Sequence, residues 1–465
     1  MRHQSLTQEE KVTYMTTKPV KGLVCEMAVP TIISMLVTSF YNMADTFFVG
    51  KINTQSTAAV GVVFSVMALI QALGFFFGHG SGNFISRRLG ARDYEEAGIM
   101  AANGFFCAFL CGLAVGILGL IFLEPIAVLL GSTATILPYT KAYLRIILLG
   151  TPFMTSSLVL NNQLRFQGSA AYAMVGIVTG AVLNIGLDPL FIFVLDMGVA
   201  GAALATIVSQ ICSFVLLVIG STKGGNIRIR FKNFHPSLYY LKEMLRGGFP
   251  SLCRQGLGSI AGIFLNHAAG SYAGIYGDAA IAGMSIVTRV TMFANSALIG
   301  FGQGFQPVCG MNYGAKKYGR VREAFWFCVK YATVFLILIS VVGFLFAQDI
   351  IAVFRKDDID VIRIGTLALR LQCLVFPFSA WIVMCNMMLQ SIGKAVKASI
   401  VAAARQGLFF IPLIWILPLF FELLGVQMCQ TVSDVFSLLL SIPLGLSVLA
   451  EMKQAEQPGQ SEGAE

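Results

Sequence analysis

Twelve apolar stretches, each long enough to cross a membrane as a helix, follow one another along the 465 residues of the chain. An α-helix rises about 1.5 Å per residue, so roughly 20 apolar residues span a hydrocarbon core of about 30 Å. The chain is 56% hydrophobic and 12% charged, whereas soluble domains carry about 25% charged residues. We therefore predict an all-α membrane protein. Its twelve predicted transmembrane helices lie near residues 23–48, 57–80, 98–122, 140–162, 172–195, 199–220, 248–272, 280–306, 324–347, 365–390, 398–420 and 424–448.

Basic residues are distributed unevenly between the ends of these helices. The first helix follows a polar tail and lacks a small-residue cleavage site, so we interpret it as a retained helix rather than a signal peptide. The positive-inside rule places both termini in the cytoplasm, because basic residues follow the even-numbered helices. The net charge of +9 is then a topology signal and argues against nucleic-acid binding. The basic residues that follow even-numbered helices are Arg87, Arg88, Arg92, Arg165, Lys223, Arg228, Arg230, Lys232, Lys242, Arg246, Lys316, Lys317, Arg320, Arg322, Lys394 and Lys397.

Motifs of enzymes and of cofactor sites do not find their structural context in this chain. The ten cysteines are scattered, without a C-x-x-C pair or a metal-binding spacing with histidine. The sequence GHGSGN at 78–83 follows an apolar helix rather than a strand, which argues against a dinucleotide fingerprint. Because the sequence offers no nucleophile–base pairing and no P-loop, we expect neither an enzyme nor a cofactor. An ion gradient, or the gradient of the substrate itself, must supply the energy.

The two halves of the chain resemble each other at a spacing of roughly 220–225 residues. Six helices per half make the repeats parallel, which is a transporter architecture of two bundles around a central site. We predict a first lobe at 1–222, a cytoplasmic linker at 223–246, a second lobe at 247–450 and a polar cytoplasmic tail at 451–465. The paired residues are Gly78, Gly80 and Gly82 with Gly300, Gly302 and Gly304, Pro152 with Pro377, Asn161 with Asn386, Gly168 with Gly393, and Ser209 with Ser433.

Four polar residues are expected in the outer half of the first lobe. Asp45 lies about one turn below the outer end of predicted helix 1, and Asp188 about two turns below that of helix 5. Asn184 is one turn from Asp188 on the same face, and Thr206 lies in helix 6. Two neighbouring carboxylates cannot easily both stay ionised, so one proton or one Na⁺ would relieve their repulsion. We predict that this group binds the coupling ion, with no other metal expected.

Simpler explanations exist for each of these residues. Asp45 could be an interfacial side chain near Lys51, and Asp188 could belong to a local turn before Pro189. Asn184 and Thr206 could serve only in helix packing, as polar residues often do in membranes.

The second half is rich in basic residues, with Asp434 as its clearest intramembrane acid. Arg405 could form an ion pair with Asp434, or both could serve as packing and interfacial anchors. We therefore keep Asp434 and Arg405 as secondary site candidates. The other basic residues in or near these helices are Arg254, Arg289, Lys330 and Arg370.

Taken together, YNMADTFFVGK at 41–51, AAVG at 58–61, RRLGARDYEEA at 87–97 and the mirrored second half resemble the multidrug and toxic compound extrusion (MATE) transporters. The resemblance covers essentially the whole chain. It implies two six-helix lobes and export of organic compounds against inward H⁺ or Na⁺ flow. It also implies that the four first-lobe residues match the cation site of the DinF-like branch, and that Tyr41, Asn161 and Gln210 line the substrate cavity.

One departure from the family concerns the second lobe. The NorM-like branch has carboxylates in helices 7 and 10, where this chain has Arg254-Gln255 and Arg370-Leu371-Gln372. A second-lobe cation site of that type is therefore not expected, and these basic residues would suit anionic or zwitterionic cargo.

The sequence thus predicts a secondary active efflux transporter of the cell membrane, an H⁺- or Na⁺-coupled antiporter for cationic or amphipathic organic compounds. It would work by alternating access, as a monomer, with the small organic substrate and the lipid bilayer as its partners. The alternative is a flippase for lipids or lipid-linked precursors with a related fold.

Overall fold

The computed structural model describes residues 6–354, 356 and 358–456, and over these residues the protein is almost entirely helical. Two π-helical turns, Leu190–Val194 and Ala404–Leu408, extend the seventh and fifteenth helices. The α-helices are α1 Gln8–Thr17, α2 Val20–Gly50, α3 Thr54–Gly90, α4 Tyr94–Ile121, α5 Leu123–Leu129, α6 Leu137–Phe166, α7 Ala170–Pro189, α8 Gly198–Ser221, α9 Leu238–Tyr272, α10 Gly277–Gly314, α11 Tyr318–Leu345, α12 Ala347–Phe354, α13 Ile359–Val375, α14 Phe378–Ser391, α15 Ala395–Ala403 and α16 Phe410–Ala455.

Twelve of the described segments serve as membrane-spanning helices. Nine helical segments are long and apolar enough to cross a membrane, and α13 with α14 form a tenth span that is bent by 58°. The bend lies at Pro377, which has no N–H to continue the helical hydrogen bonds. α9 is long enough at 35 residues but less apolar. The last of the nine segments, Ala395–Ala455, holds two spans, which brings the total to twelve.

The chain reverses direction within α16, at Glu422, whose φ of 49° lies in the left-handed region. Residues on either side of the reversal approach each other in pairs, as in an antiparallel helical hairpin. Cys429 Sγ donates to the carbonyl oxygen of Phe410 at 3.7 Å. Farther from the turn, Ser433 Oγ donates to the carbonyl oxygen of Arg405 at 2.7 Å. The predicted helices 11 and 12 are therefore both present.

The two halves repeat each other in structural detail. The side-chain amide of Asn161 donates to the carbonyl oxygen of Ala173 at 3.0 Å, and that of Asn386 donates to Ala398 at 2.7 Å. Each contact ties the end of one helix to the start of the next, so the duplication read from the sequence is a duplication of packing. Left-handed backbone also recurs at the repeat spacing, in Arg92 with Lys316 and in Gly168 with Gly393.

The apolar cores show how the lobes meet. One large core contains residues of both lobes, including Phe84 and Met244, and lies toward the end of the molecule that carries the basic loops. We call this end the basic end. Toward the other end, the first lobe has its own core around Ile147, and the second lobe has a separate core around Met284. The lobes thus share one core at the basic end and have separate cores toward the opposite end, where a cleft lies between them. Partway along, α2 and α10 still touch, with Ser39 Oγ 2.9 Å from Ser296 Oγ.

Glycines allow the lobes to approach closely at the basic end. A Cβ atom on Gly304 would lie 2.4 Å from the backbone of Ala28, and one on Gly80 would lie 2.4 Å from the carbonyl oxygen of Met244. Both contacts cross from one lobe to the other, and real Cβ atoms do not approach backbone so closely. Within the glycine repeats at 78–82 and 300–304, Gly80 and Gly304 therefore serve lobe closure.

Several segments differ from the sequence-based expectation. α3 and α10 do not end near residues 80 and 306 but continue to Gly90 and Gly314, because the inter-lobe core buries their polar ends. The short helices α1, α5 and α12 were not expected, since none has a membrane-spanning apolar run. The second half of the predicted linker at 223–246 is helical, as α9 begins at Leu238. The last helix continues into the predicted tail as far as Ala455, and residues 457–465 lie outside the described residues.

Candidate functional site

Three of the predicted ion-site residues lie together in the interior of the first lobe. Asp188 and Asn184 are on α7, Thr206 is on α8, and all three are at most 2% exposed. With the Asn184 amide oriented to satisfy its neighbours, its N–H donates to Asp188 Oδ2 at 3.2 Å and its oxygen accepts from the Thr206 backbone N–H at 3.3 Å. The asparagine thus links the carboxylate to the neighbouring helix.

Asp45, on α2, completes this group. It lies close enough to Asp188 for the two charges to interact, and Tyr41 lies near both acids. Neither Asp45 nor Asp188 forms an ion pair with any described residue. One oxygen of each carboxylate, Oδ1, is buried without a hydrogen-bond partner among the described residues. Two orphaned carboxylate oxygens in one place are an arrangement that a proton or a small cation would satisfy.

The interfacial explanation for Asp45 does not match the geometry. The Lys51 ammonium lies 4.4 Å from the centre of the Phe47 ring and makes no ion pair with Asp45. The buried Oδ1 of Asp45 and its proximity to Asp188 favour the interior assignment.

The local sequence opens the helix beside Asp188. Pro189 follows directly and has no N–H, so the carbonyl oxygen of Ile185 loses its usual partner. The chain then continues as the π-helical turn Leu190–Val194, a form that is uncommon and often found at functional sites. A helix interrupted here can rearrange more easily than a regular one when the carboxylate changes its charge.

The residues expected to line the substrate cavity differ in their surroundings. Tyr41 and Gln210 are half-buried, and Tyr41 lies close to the acid pair. Asn161 is 6% exposed, and one N–H of its side-chain amide donates to the Ala173 carbonyl oxygen, which leaves its second N–H and its amide oxygen available. Their role toward substrate stays a prediction.

In the second lobe the structure decides between the two alternatives for Arg405 and Asp434. Arg405 Nε donates to Asp434 Oδ1 at 2.8 Å and a terminal nitrogen donates to Oδ2 at 3.2 Å. Asp434 is fully buried and also accepts from Gln430 at 2.8 Å. Arg405 lies in the π-helical turn Ala404–Leu408. This carboxylate is neutralised by an arginine of its own lobe, unlike the acids of the first lobe.

Sequence reasoning missed a polar network at the junction of the lobes. Arg165, which the sequence presents as a loop residue, is 2% exposed and approaches His79 Nε2 at 3.2 Å. His79 Nδ1 lies 2.9 Å from Ser251 Oγ in the second lobe, so this histidine links the two lobes. Hydropathy places a polar residue near a helix end, but it does not show which helix ends another lobe will cover.

Comparison with known proteins shows which family the chain belongs to. The model of the MatE family matches twice, over residues 30–190 and 256–416, so one match falls in each half. The multidrug export protein MepA of Staphylococcus aureus (strain MSSA476) is 27% identical over 421 residues, which cover 90% of this chain and 92% of that protein.

Solved structures agree over nearly the whole chain. One is the outward-facing conformation of a multidrug resistance MATE transporter of the MOP superfamily, with a TM-score of 0.89 and 27% identity, covering 95% of this chain and 98% of that one. Another, from Pyrococcus furiosus, is a MOP superfamily transporter described as having a binding pocket of reverse polarity that suggests a different function; its TM-score is 0.88, with 28% identity and coverage of 95% and 98%. With both halves of the chain matched, the protein belongs to the MatE family of multidrug and toxic compound extrusion transporters.

Proposed function

We propose that this efflux transporter couples export to the inward flow of H⁺ or Na⁺ through the group formed by Asp45, Asn184, Asp188 and Thr206. The observation that carries the proposal is the pair of carboxylates that share one site and have no basic partner among the described residues. Membership of the family already makes the protein a membrane transporter rather than an enzyme, and such transporters need no cofactor.

The donor set suits either ion. Carboxylate, amide and hydroxyl oxygens are hard ligands of the kind that alkali cations accept, and a proton on one carboxylate would also relieve the repulsion of the pair. Here the ion is cargo that passes through the site in each cycle. The residues that would hold it are Asp45 and Asp188, with Asn184 and Thr206 as neutral oxygen donors.

The orientation of the molecule follows from its charge. We place the basic end, and with it both termini, in the cytoplasm, in accordance with the positive-inside rule. The cleft between the lobes then opens outward. The similarity to an outward-facing structure of the family supports this assignment.

Coupling requires only that the ion bind one conformation more tightly than the other. In the proposed cycle, the ion enters from outside and neutralises the acid pair, and α7 rearranges at Pro189. Organic cargo leaves outward, and the lobes then rock, close the outer cleft, release the ion and reload from the cytoplasm. A ligand shifts a conformational equilibrium only through its differential affinity, and a few kcal/mol make a useful shift. Because one chain supplies both lobes, we propose that a monomer is the working unit.

Efflux from proteoliposomes under separately imposed gradients tests the coupling. A pH gradient and a Na⁺ gradient are applied one at a time, with a panel of cationic, zwitterionic and anionic compounds. We expect transport to follow at least one gradient and to stop when that gradient is collapsed by an ionophore. Transport that continues unchanged without either gradient would contradict ion coupling.

A further inference from the structure

A chain of buried polar side chains crosses from one lobe to the other at the base of the cleft. Arg165 of the first lobe contacts His79, which contacts Ser251 of the second lobe, and Ser251 accepts from Gln390 Nε2 at 2.8 Å. Arg165 also donates to Gln303 of the second lobe at 2.5 Å. The guanidinium therefore sits within the inter-lobe contact and not at a membrane surface.

A second arginine lies beside this network. Arg254, on α9, is near enough for its positive charge to act on both Arg165 and His79. Its one hydrogen bond to a described residue goes to Asn386 Oδ1 at 3.1 Å. Asn386 in turn is held by the carbonyl oxygen of Ala398. Two like charges thus approach each other at the junction of the lobes.

No carboxylate compensates these charges within the part of the chain that the structure describes. Other largely buried arginines of the protein have a carboxylate nearby, since Arg405 pairs with Asp434 and Arg87 lies 4.0 Å from Glu243. Arg165 and Arg254 form no ion pair with a described residue. A buried cation without a partner is costly, so an arrangement that keeps two of them together calls for an anion.

Both arginines retain donors for such an anion. Arg165 Nε is buried and has no partner among the described residues. Arg254 is partly exposed, and its N–H groups other than the one on Asn386 make no hydrogen bond to described residues. A guanidinium presents its donors in a planar fork that matches a carboxylate, phosphate or sulfonate.

Arg254 is also reachable. Gly248, less than two turns earlier on α9, packs against the Phe76 backbone of the first lobe. Farther along the same helix, a Cβ atom placed on Gly256, Gly258 or Gly262 would meet no neighbouring atom of the described residues within 4 Å. α9 therefore separates from the first lobe at about the level of Arg254, and the Arg254 side chain lies where the floor of the cleft begins.

We propose that Arg254, with Arg165 behind it, binds an anionic group of the exported compound at the base of the cleft. The cargo would then carry a carboxylate, phosphate or sulfonate on an amphipathic body. The inference rests on the proposed export function and names its substrate class, but the anion site is separate from the ion-coupling site of the first lobe.

Binding of a matched pair of dyes to the purified full-length protein tests this proposal. The probes are a rhodamine that carries a free carboxylate and the methyl ester of the same dye, measured by fluorescence anisotropy without any gradient. We expect wild-type protein to bind the carboxylate form about tenfold more tightly or better, as a charge-assisted hydrogen bond provides. In Arg254→Gln this preference should be lost while binding of the ester is retained. Arg254→Lys, which keeps the charge without the fork, should retain part of the preference.

Arg370→Gln is the matched control, because Arg370 is a second-lobe arginine that donates to the Phe344 carbonyl oxygen. It should leave the preference unchanged. Equal binding of both dyes by the wild type, no binding of the carboxylate dye, or an unchanged preference in Arg254→Gln would each overturn the proposal. Since binding needs no ion gradient, Asp45→Asn should keep the dye preference, so failure of the coupling mechanism and failure of the anion site give different results.

Discussion

The two lobes share their architecture but treat their buried acids in opposite ways. Asp188 of the first lobe forms no ion pair with a described residue and lies near Asp45, whereas Asp434 of the second lobe accepts from two nitrogens of the Arg405 guanidinium. Both acids lie beside a π-helical turn, Leu190–Val194 in one lobe and Ala404–Leu408 in the other.

The difference teaches how a duplicated transporter can divide its tasks. A carboxylate with a permanent basic partner has little need of an ion from solution, while a pair of carboxylates without one does. The second lobe therefore retains the packing of the repeat and the first lobe retains a site whose charge can change. If this comparison is right, the same type of substitution must have different consequences in the two lobes.

The largest expected effect is on transport in the first lobe. Asp45→Asn and Asp188→Asn each remove one of the two charges whose repulsion the ion relieves, so gradient-driven efflux should fall to the level of empty liposomes. Neither change should impair folding, because an amide is easier to bury than an unpaired carboxylate.

Proteoliposome efflux measures the loss of transport, and thermal unfolding in detergent measures the effect on folding. Asp278→Asn, at an exposed acid that begins α10, is the control and should transport normally. Normal efflux in the Asp45 variant would end the coupling proposal.

The second-largest expected effect is on stability, and it concerns the buried acid of the second lobe. Asp434→Asn leaves Arg405 without its partner, and breaking a buried ion pair from one side destabilises a protein by about 3–5 kcal/mol. The thermal unfolding temperature should therefore fall clearly in this variant but stay level or rise in Asp188→Asn. Replacing both partners, as in Arg405→Met with Asp434→Leu, should restore much of the lost stability. Equal destabilisation by the two single Asp→Asn variants would show that the lobes handle their buried acids alike.

Much of this comparison was accessible from the sequence. The repeat spacing, the depth of the acids in their helices and the possible Arg405–Asp434 pair all depend on periodicity and composition, which act locally along the chain. Twelve spans could be counted because crossing a membrane demands about 20 apolar residues each time.

Other features depend on packing between distant segments, and the sequence did not reveal them. Arg165 has the sequence position of a topology signal, but it is buried because another lobe closes over the end of α6. The polar ends of α3 and α10 resembled loops for the same reason. Helix α1 has no apolar run, so nothing in its hydropathy indicated that it would contact both lobes.

A smaller effect is expected from the glycines that close the basic end, and here the lobes should behave alike. Gly80→Ala and Gly304→Ala each place a methyl group against the backbone of the opposite lobe. Overpacking of this kind typically costs about 1–3 kcal/mol, so both variants should populate the conformation that opens at the basic end. Distances between spin labels on the two lobes would measure the shift.

Gly302→Ala is the matched control for this pair. Its methyl group would meet the flexible Met387 side chain of the same lobe rather than the backbone of the other. The conformational equilibrium should stay close to that of the wild type. If Gly302→Ala shifted the equilibrium as far as Gly304→Ala, contact across the lobe junction could not be the cause.

The smallest effect concerns helix α1, which lies across the basic end and is anchored unequally to the two lobes. On the first-lobe side, the Lys11 ammonium donates to Ser169 Oγ at 2.5 Å, to the carbonyl oxygen of Gly224 at 3.2 Å, and to Asn226 Oδ1. On the second-lobe side, backbone carbonyl oxygens of the helix and of the residue that follows it accept from the side chains of Asn312, Lys317 and Arg320.

Burial lowers the pKa of Lys11 to about 7, whereas a free lysine has a pKa of about 10.4. The docked helix therefore binds the proton less tightly than the released helix. It follows that docking is weakest below about pH 7 and strengthens as the pH rises from about 7 toward about 10, where the released lysine also loses its proton.

The mobility of a spin label on α1, recorded across this range, should decrease with rising pH in the wild type. Lys11→Met has no titrating group at this position and should abolish the pH trend. Lys317→Met removes a second-lobe contact, so it should weaken docking at every pH but preserve the pH trend. A trend that survives in Lys11→Met would show that the first-lobe anchor is not the pH-sensitive one.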